Sequence, residues 1–228
     1  MSLQRLEDNL HRAIRTIERA RIEYSRHHIV KLLAVSKYSQ SSDIEELYHC
    51  GQRAFGENRV QDLKQKMDEL RELPIEWHFI GTLQSNKINA LLALRPSLIH
   101  SLHSLTLANE LQKRLEREGL RIPALLQINS AKEEGKSGVD PEAAIENYLE
   151  ILERFPNIKL CGVMSIGAHV SDTEVIKRSF ETTQRIFEEL KKYGATTLSM
   201  GMSGDFELAI KCGSNLVRLG SSLFDKTL

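Results

Sequence analysis

The chain has 228 residues, with 31 basic and 31 acidic side chains and a formal net charge of zero. That balance excludes a protein whose main partner is a nucleic-acid backbone or an anionic membrane, because there is no basic field to steer either. A composition of 41% hydrophobic and 27% charged residues describes a folded globule rather than a disordered chain, and no apolar run approaches the roughly 20 residues of a membrane span.

The N-terminal segment MSLQRLEDNLHRAIRTIERA is charged throughout and lacks the apolar stretch of a secretory signal, so a cytoplasmic protein is expected. Its apolar residues recur at three- and four-residue spacing over 3–22, which predicts a helix. A first strand follows at 31–36 (KLLAVS), then a helix over 41–50, a strand at 53–55 and a helix over 60–73. The pattern continues with a strand at 76–80 (EWHFI), a short helix over 84–92, a strand at 97–101 (SLIHS) and a helix over 105–117. Strands at 122–128 (IPALLQI), 158–164 (IKLCGVM), 196–199 (TTLS) and 215–219 (NLVRL) are separated by helices over 141–155, 174–193 and 206–212. Strict alternation means parallel strands joined by crossover helices. Eight such strands are the number that closes a (β/α)8 barrel. The expected fold is therefore α/β, a TIM barrel with an extra N-terminal helix, forming one domain over 1–228; an open doubly wound sheet is the alternative. Cys50, Cys161 and Cys212 are far apart with no ligand-like spacing, and are expected to be free thiols in a reducing compartment, with no metal site.

A barrel collects its chemistry where strands end. Lys37 stands at the end of the first strand and Gly56-Glu57-Asn58-Arg59 at the end of the second. Met200-Gly201-Met202-Ser203-Gly204 follows the seventh, and Arg218 precedes Gly220-Ser221-Ser222 on the eighth. Two of these loops suit an anion. Ser203-Gly204 leads into a helix, where a serine and an open backbone leave N–H groups for a ligand, and Gly220-Ser221 offers a second glycine–hydroxyl nest. Asp205 and Glu207 would repel a phosphate there, so their side chains must point away. Lys37 ends an apolar strand; a lysine in that position is most often solvated, but at a barrel mouth beside a phosphate site it is a Schiff-base candidate. A lysine for an aldehyde carbon, nests for a phosphate and an arginine for a ring nitrogen are what pyridoxal 5′-phosphate (PLP) asks for. His78, between Trp77 and Phe79, reads either as a satisfied core residue or as a site group.

These residues resemble a known family. Ala34-Val35-Ser36-Lys37, Phe55-Gly56-Glu57-Asn58, Trp77-His78-Phe79-Ile80-Gly81 with Leu83-Gln84-Ser85-Asn86-Lys87, Leu198 to Asp205 (LSMGMSGD) and Val217-Arg218-Leu219-Gly220 are similar to the YggS/PROSC family of pyridoxal phosphate homeostasis proteins, over essentially the whole chain. The resemblance implies the alanine-racemase N-terminal barrel (PLP fold type III), a Schiff base of PLP on Lys37, and no established catalytic turnover. It further implies that Ser203, Gly204, Gly220 and Ser221 hold the phosphate, that Arg218 faces the pyridine nitrogen, and that Asn58 and Met200 lie near the ring. The chain departs from the family's usual pattern in Tyr38-Ser39-Gln40 where a second lysine and a proline are common, in Thr82 where a proline is usual, and in Arg59 where tyrosine is common. Lys136 matches a typical family lysine and reads either as a secondary PLP contact or as a solvated loop lysine.

Two functions follow from different classes. The first is a PLP-binding protein that stores the cofactor and supplies apo-PLP enzymes, acting as a monomer with no nucleic-acid or membrane partner and no catalytic residues of its own. The second is a PLP-dependent amino-acid racemase, which needs acid–base groups on both faces of the substrate carbon. In barrel racemases one of these comes from an added β-domain, for which no residues remain after Leu228, so the carrier reading is preferred. A barrel binding another phosphorylated metabolite, with Lys37 as a point charge, is the third expectation.

Overall fold

Leu6, Leu10, Ala13, Ile17 and Ala20 are all buried, and their spacing draws one apolar stripe along the first helix, α1 (Leu3–Tyr24). That stripe faces the last turns of the chain: Asn9 Nδ2 donates to the Leu223 carbonyl at 3.0 Å. A computed structural model describes residues 3–133 and 135–224. After α1 the order is β1 (Lys31–Val35), α2 (Ser41–His49), β2 (Ala54–Glu57), α3 (Val60–Glu69), β3 (Glu76–Phe79), α4 (Ile88–Leu94), β4 (Leu98–Leu102), α5 (Leu105–Glu118) and β5 (Ile122–Ile128). It continues through α6 (Ala144–Arg154), β6 (Ile158–Ser165), α7 (Thr173–Leu190), β7 (Thr197–Ser199), α8 (Phe206–Lys211), β8 (Leu216–Leu219) and α9 (Ser221–Phe224).

Each strand pairs with the next, all in parallel, and the sheet closes where Lys31 to Ala34 of β1 pair with Leu216 to Leu219 of β8. Closure rules out the open-sheet alternative. α1 packs against α8, α9 and α2, beside the β1–β8 seam that closes the barrel.

Strand residues alternate between two environments, as the pleat requires. One set, including Ala34, Phe55, Trp77, Phe79, Ile99, Leu126, Val163, Leu198 and Val217, joins the large apolar cluster under the helices. The other set faces the lumen, where Leu98, Leu125 and Met164 form a separate small cluster. The lumen also holds His78, His100, Ser199 and Arg218, all buried.

Three elements differ from the sequence expectation. The second strand runs on through Gly56 and Glu57. A glycine and a charge look like a strand end, yet Gly56 turns inward against Leu33 and Ile80, and Glu57 is fully buried against Lys66. The fourth helix is a 3-10 turn, Ser85–Lys87, followed by α4. The last strand is followed by α9, a single turn of four residues that is too short to show periodicity. Among the described residues no helix is long and apolar enough to cross a membrane.

Candidate functional site

Strand β1 is held on both sides, by Val35 opposite Gly56 on β2 and Ala34 opposite Leu219 on β8. The chain leaves it through Ser36, which is fully buried. Ser36 Oγ donates to Glu57 Oε1 at 2.6 Å, and the Ser36 carbonyl accepts from Lys66 Nζ at 2.7 Å. Lys66 also donates to Glu57 Oε1 at 2.7 Å. The next residue, Lys37, therefore emerges from a pinned peptide. Its ammonium lies 4.9 Å from the ring centroid of Tyr38 and makes no hydrogen bond among the described residues. No motif in the sequence marks Lys66; the available signal is its place three residues after Leu63 on the apolar face of α3, where it is itself buried.

Lys37 stands on the wall of a cavity of about 1060 Å³ at the C-terminal mouth of the barrel. Asn58, Ser203, Gly204, Arg218, Gly220 and Ser221 line the same cavity. Met200 does not. It is fully buried in the apolar cluster under the helices, because Ser199 at the end of β7 faces the lumen and the following residue turns the other way. Asn58 reaches the wall because residue 81 is a glycine, since a Cβ there would lie 1.9 Å from the Asn58 carbonyl oxygen.

The loops after β7 and β8 converge on one oxygen. Ser203 Oγ accepts from the backbone N–H of Gly220 at 3.2 Å and of Ser222 at 3.3 Å, and lies 3.1 Å from Ser222 Oγ. Main-chain donors gathered in this way suit an anionic oxygen. A Cβ on Gly204 would meet nothing within 4 Å, and one on Gly220 would make only ordinary contact with Val35 from 3.4 Å outward. Packing within the chain requires neither glycine; bare backbone at both leaves room for a ligand to approach. The residues present therefore fit a phosphate group. Both acidic side chains nearby turn aside, as expected. Asp205 Oδ1 accepts from the Met202 N–H at 2.6 Å, and Glu207 pairs with Arg19 of α1 at 3.0 Å.

Arg218 is 5% exposed. Its Nη1 donates to Ser199 Oγ at 2.7 Å and its Nη2 to the Ser165 carbonyl at 2.9 Å. Burial pushes the guanidinium down to about 10, opposed by the charge of Asp205, so it stays cationic at neutral pH. A fixed cation of this kind would disfavour protonation of a pyridine nitrogen placed against it. His78 sits in the lumen, hydrogen-bonded to His100 and Glu76, and does not line the cavity. Lys136 pairs with Glu133 at 2.6 Å and is likewise outside the cavity lining.

The family description "Alanine racemase, N-terminal domain" matches residues 2–227. A pyridoxal phosphate homeostasis protein of Helicobacter pylori is 59% identical, over 92% of this chain and 94% of its own length. A structure of a protein of unknown function from Bifidobacterium adolescentis superposes with a TM-score of 0.92 at 35% identity, covering 97% of this chain and 95% of that one. PipY of Synechococcus elongatus, solved with PLP bound, has a TM-score of 0.78 at 34% identity, covering 92% of this chain and 99% of that one.

Proposed function

The chain belongs to the alanine racemase N-terminal domain family, and from that premise we propose that it is a PLP-binding protein of vitamin B6 homeostasis that holds its cofactor on Lys37. The observation that carries this reading is the convergence of Lys37, Arg218 and the Ser203-Gly204 and Gly220-Ser221 loops on one cavity. When bound, PLP supplies an aldehyde carbon to which a lysine amine can be joined with loss of water. The chain's own residues do the rest. The Ser36–Glu57–Lys66 cluster aims the Lys37 amine, the two loops take the phosphate, and Arg218 faces the ring nitrogen. Asn58 stands on the wall beside them.

The protein stores PLP and supplies it to apo-enzymes. The open cavity mouth supports this, because it leaves the lysine accessible to water and to competing amines. Beside Lys37 and Arg218, the titratable side chains on the cavity wall, among the described residues, are Tyr38 and Asp43. Tyr38 is 89% exposed, and Asp43 accepts from the Gln40 N–H at the start of α2. Neither is set as the second acid–base group a racemase needs. Three free cysteines, two half-buried and one buried, suit a cytoplasmic location, and the protein acts there as a monomer.

The test is PLP loading followed by exhaustive dialysis of the wild type and Lys37→Ala. The wild type is expected to retain about one PLP per chain with a visible absorption band, and Lys37→Ala to lose both. Robust conversion of an L-amino acid to its D-form that depends on Lys37 would overturn the carrier reading.

A further inference from the structure

A line of hydrogen bonds crosses the barrel lumen from one mouth to the other. Glu76 Oε1 lies 3.0 Å from His78 Nε2, His78 Nδ1 lies 2.9 Å from His100 Nε2, and His100 Nδ1 lies 3.3 Å from Ser199 Oγ. Ser199 Oγ accepts from Arg218 Nη1 at 2.7 Å. The links between β3 and β4 join neighbouring strands, but the one from His100 on β4 to Ser199 on β7 spans the interior. Arg218 stands at the cavity end, 5% exposed. Glu76 begins β3 at the opposite mouth, with its side chain 44% exposed.

With both rings neutral, the Glu76 end sets the protons along this line. The ionised Glu76 carboxylate can only accept, so His78 carries its proton on Nε2 and presents a bare Nδ1. His100 then donates from Nε2 to His78 Nδ1 and presents its own bare Nδ1 to the Ser199 hydroxyl hydrogen. A guanidinium can only donate, and Ser199 Oγ accepts from Arg218 with one of its two lone pairs. Each neutral ring thus has one tautomer that satisfies the whole line.

The surrounding charges agree with this polarity. Burial holds the His100 imidazole well below its ordinary value, and the Arg218 guanidinium pushes it the same way. The hydrogen bond from His78 holds the Glu76 carboxyl low, with the Lys31 charge adding to the effect. Asp205 is the acidic group acting on Arg218 from the other side.

We infer that Glu76, His78, His100 and Ser199 are positioning residues for Arg218, and that the acceptor at Glu76 sets the direction of the whole line. If Glu76 accepts nothing, the rings are free to reverse. His100 would then donate from Nδ1 to Ser199 Oγ, taking up its second lone pair, while the hydroxyl hydrogen lost the ring as its acceptor. The oxygen that anchors the guanidinium would be shared between two donors on a hydroxyl no longer held by the ring. That this matters for PLP rests on the reading above; the proton arrangement itself does not.

The experiment is 15N NMR of the histidine rings in the ligand-free protein, together with PLP affinity and the absorption spectrum of the loaded protein. In the wild type His78 and His100 are expected as Nε2–H tautomers. In Glu76→Ala their ring signals are expected to shift or split into a mixture, PLP binding to weaken about fivefold or more, and the visible band to move. Glu76→Gln keeps an amide oxygen as acceptor and is expected to restore both readouts. Nδ1–H tautomers or doubly protonated rings at neutral pH in the wild type would overturn the inference, as would a Glu76→Ala protein with unchanged ring signals. Unchanged PLP affinity and spectrum in Glu76→Ala, with altered rings, would overturn the positioning role. Borohydride labelling of wild-type Lys37 separates the two readings: without it the PLP site fails while the tautomer result still stands or falls alone.

Discussion

Lys66 Nζ lies 2.7 Å from Glu57 Oε1 and 2.7 Å from the Ser36 carbonyl, with Glu57 fully buried. This ion pair sits behind the peptide that presents Lys37. It joins β2 and α3 to the end of β1, so the site lysine is placed by contacts outside the cavity. Removing one partner strands a charge in the interior. Lys66→Met is expected to cost about 3–5 kcal/mol of stability, read as a lower urea midpoint with little change in slope. Because Glu57→Gln with Lys66→Met leaves no bare charge, the double variant should recover most of that loss. A single variant as stable as the wild type would show that the pair does not carry this role.

Gly204 separates fold from ligand. Its missing Cβ would project into open space, so Gly204→Val should leave the thermal midpoint of the ligand-free protein nearly unchanged. The same methyl groups would occupy the approach to the anion cradle. Loss of even one hydrogen bond to a charged group costs about 1.5–3 kcal/mol, so PLP affinity measured by absorbance titration should fall roughly tenfold or more. Unchanged affinity would place the phosphate elsewhere.

His100 makes stability depend on pH. In the unfolded chain a histidine binds its proton near pH 6.5, while burial, with His78 and Arg218 nearby, holds the folded value well below that. As pH falls through about 6.5, the unfolded chain takes up a proton that the fold does not, so this contribution is full above that point and lost below it. The slope approaches about 1.4 kcal/mol per pH unit for one proton. Urea midpoints between pH 5 and 7.5 should therefore fall more steeply in the wild type than in His100→Gln. Parallel curves would mean that His100 takes up its proton alike in the folded and unfolded chains, which would contradict the depressed folded value.

The barrel was legible because its signal is periodic: apolar runs alternate with three- and four-residue spacing from Lys31 to Leu219. Lys37, Ser203, Gly204 and Arg218 were legible for a related reason, since a barrel puts strand ends at one mouth. What escaped was pairing across strands. Nothing local in the sequence joins Lys66 to Glu57, or His100 to Ser199 ninety-nine residues away. The family resemblance implies that Met200 lies near the ring, but pleat alternation after Ser199 turns it into the core. One residue of register decides such a side chain's face.

The central claim is that Lys37 holds the cofactor. Borohydride reduction of the PLP-treated protein, followed by peptide mass mapping, tests it most directly. The account expects a phosphopyridoxyl group on Lys37 alone, at about one per chain. A label spread over surface lysines, or absent from Lys37, would contradict it and return the cavity to another phosphorylated ligand.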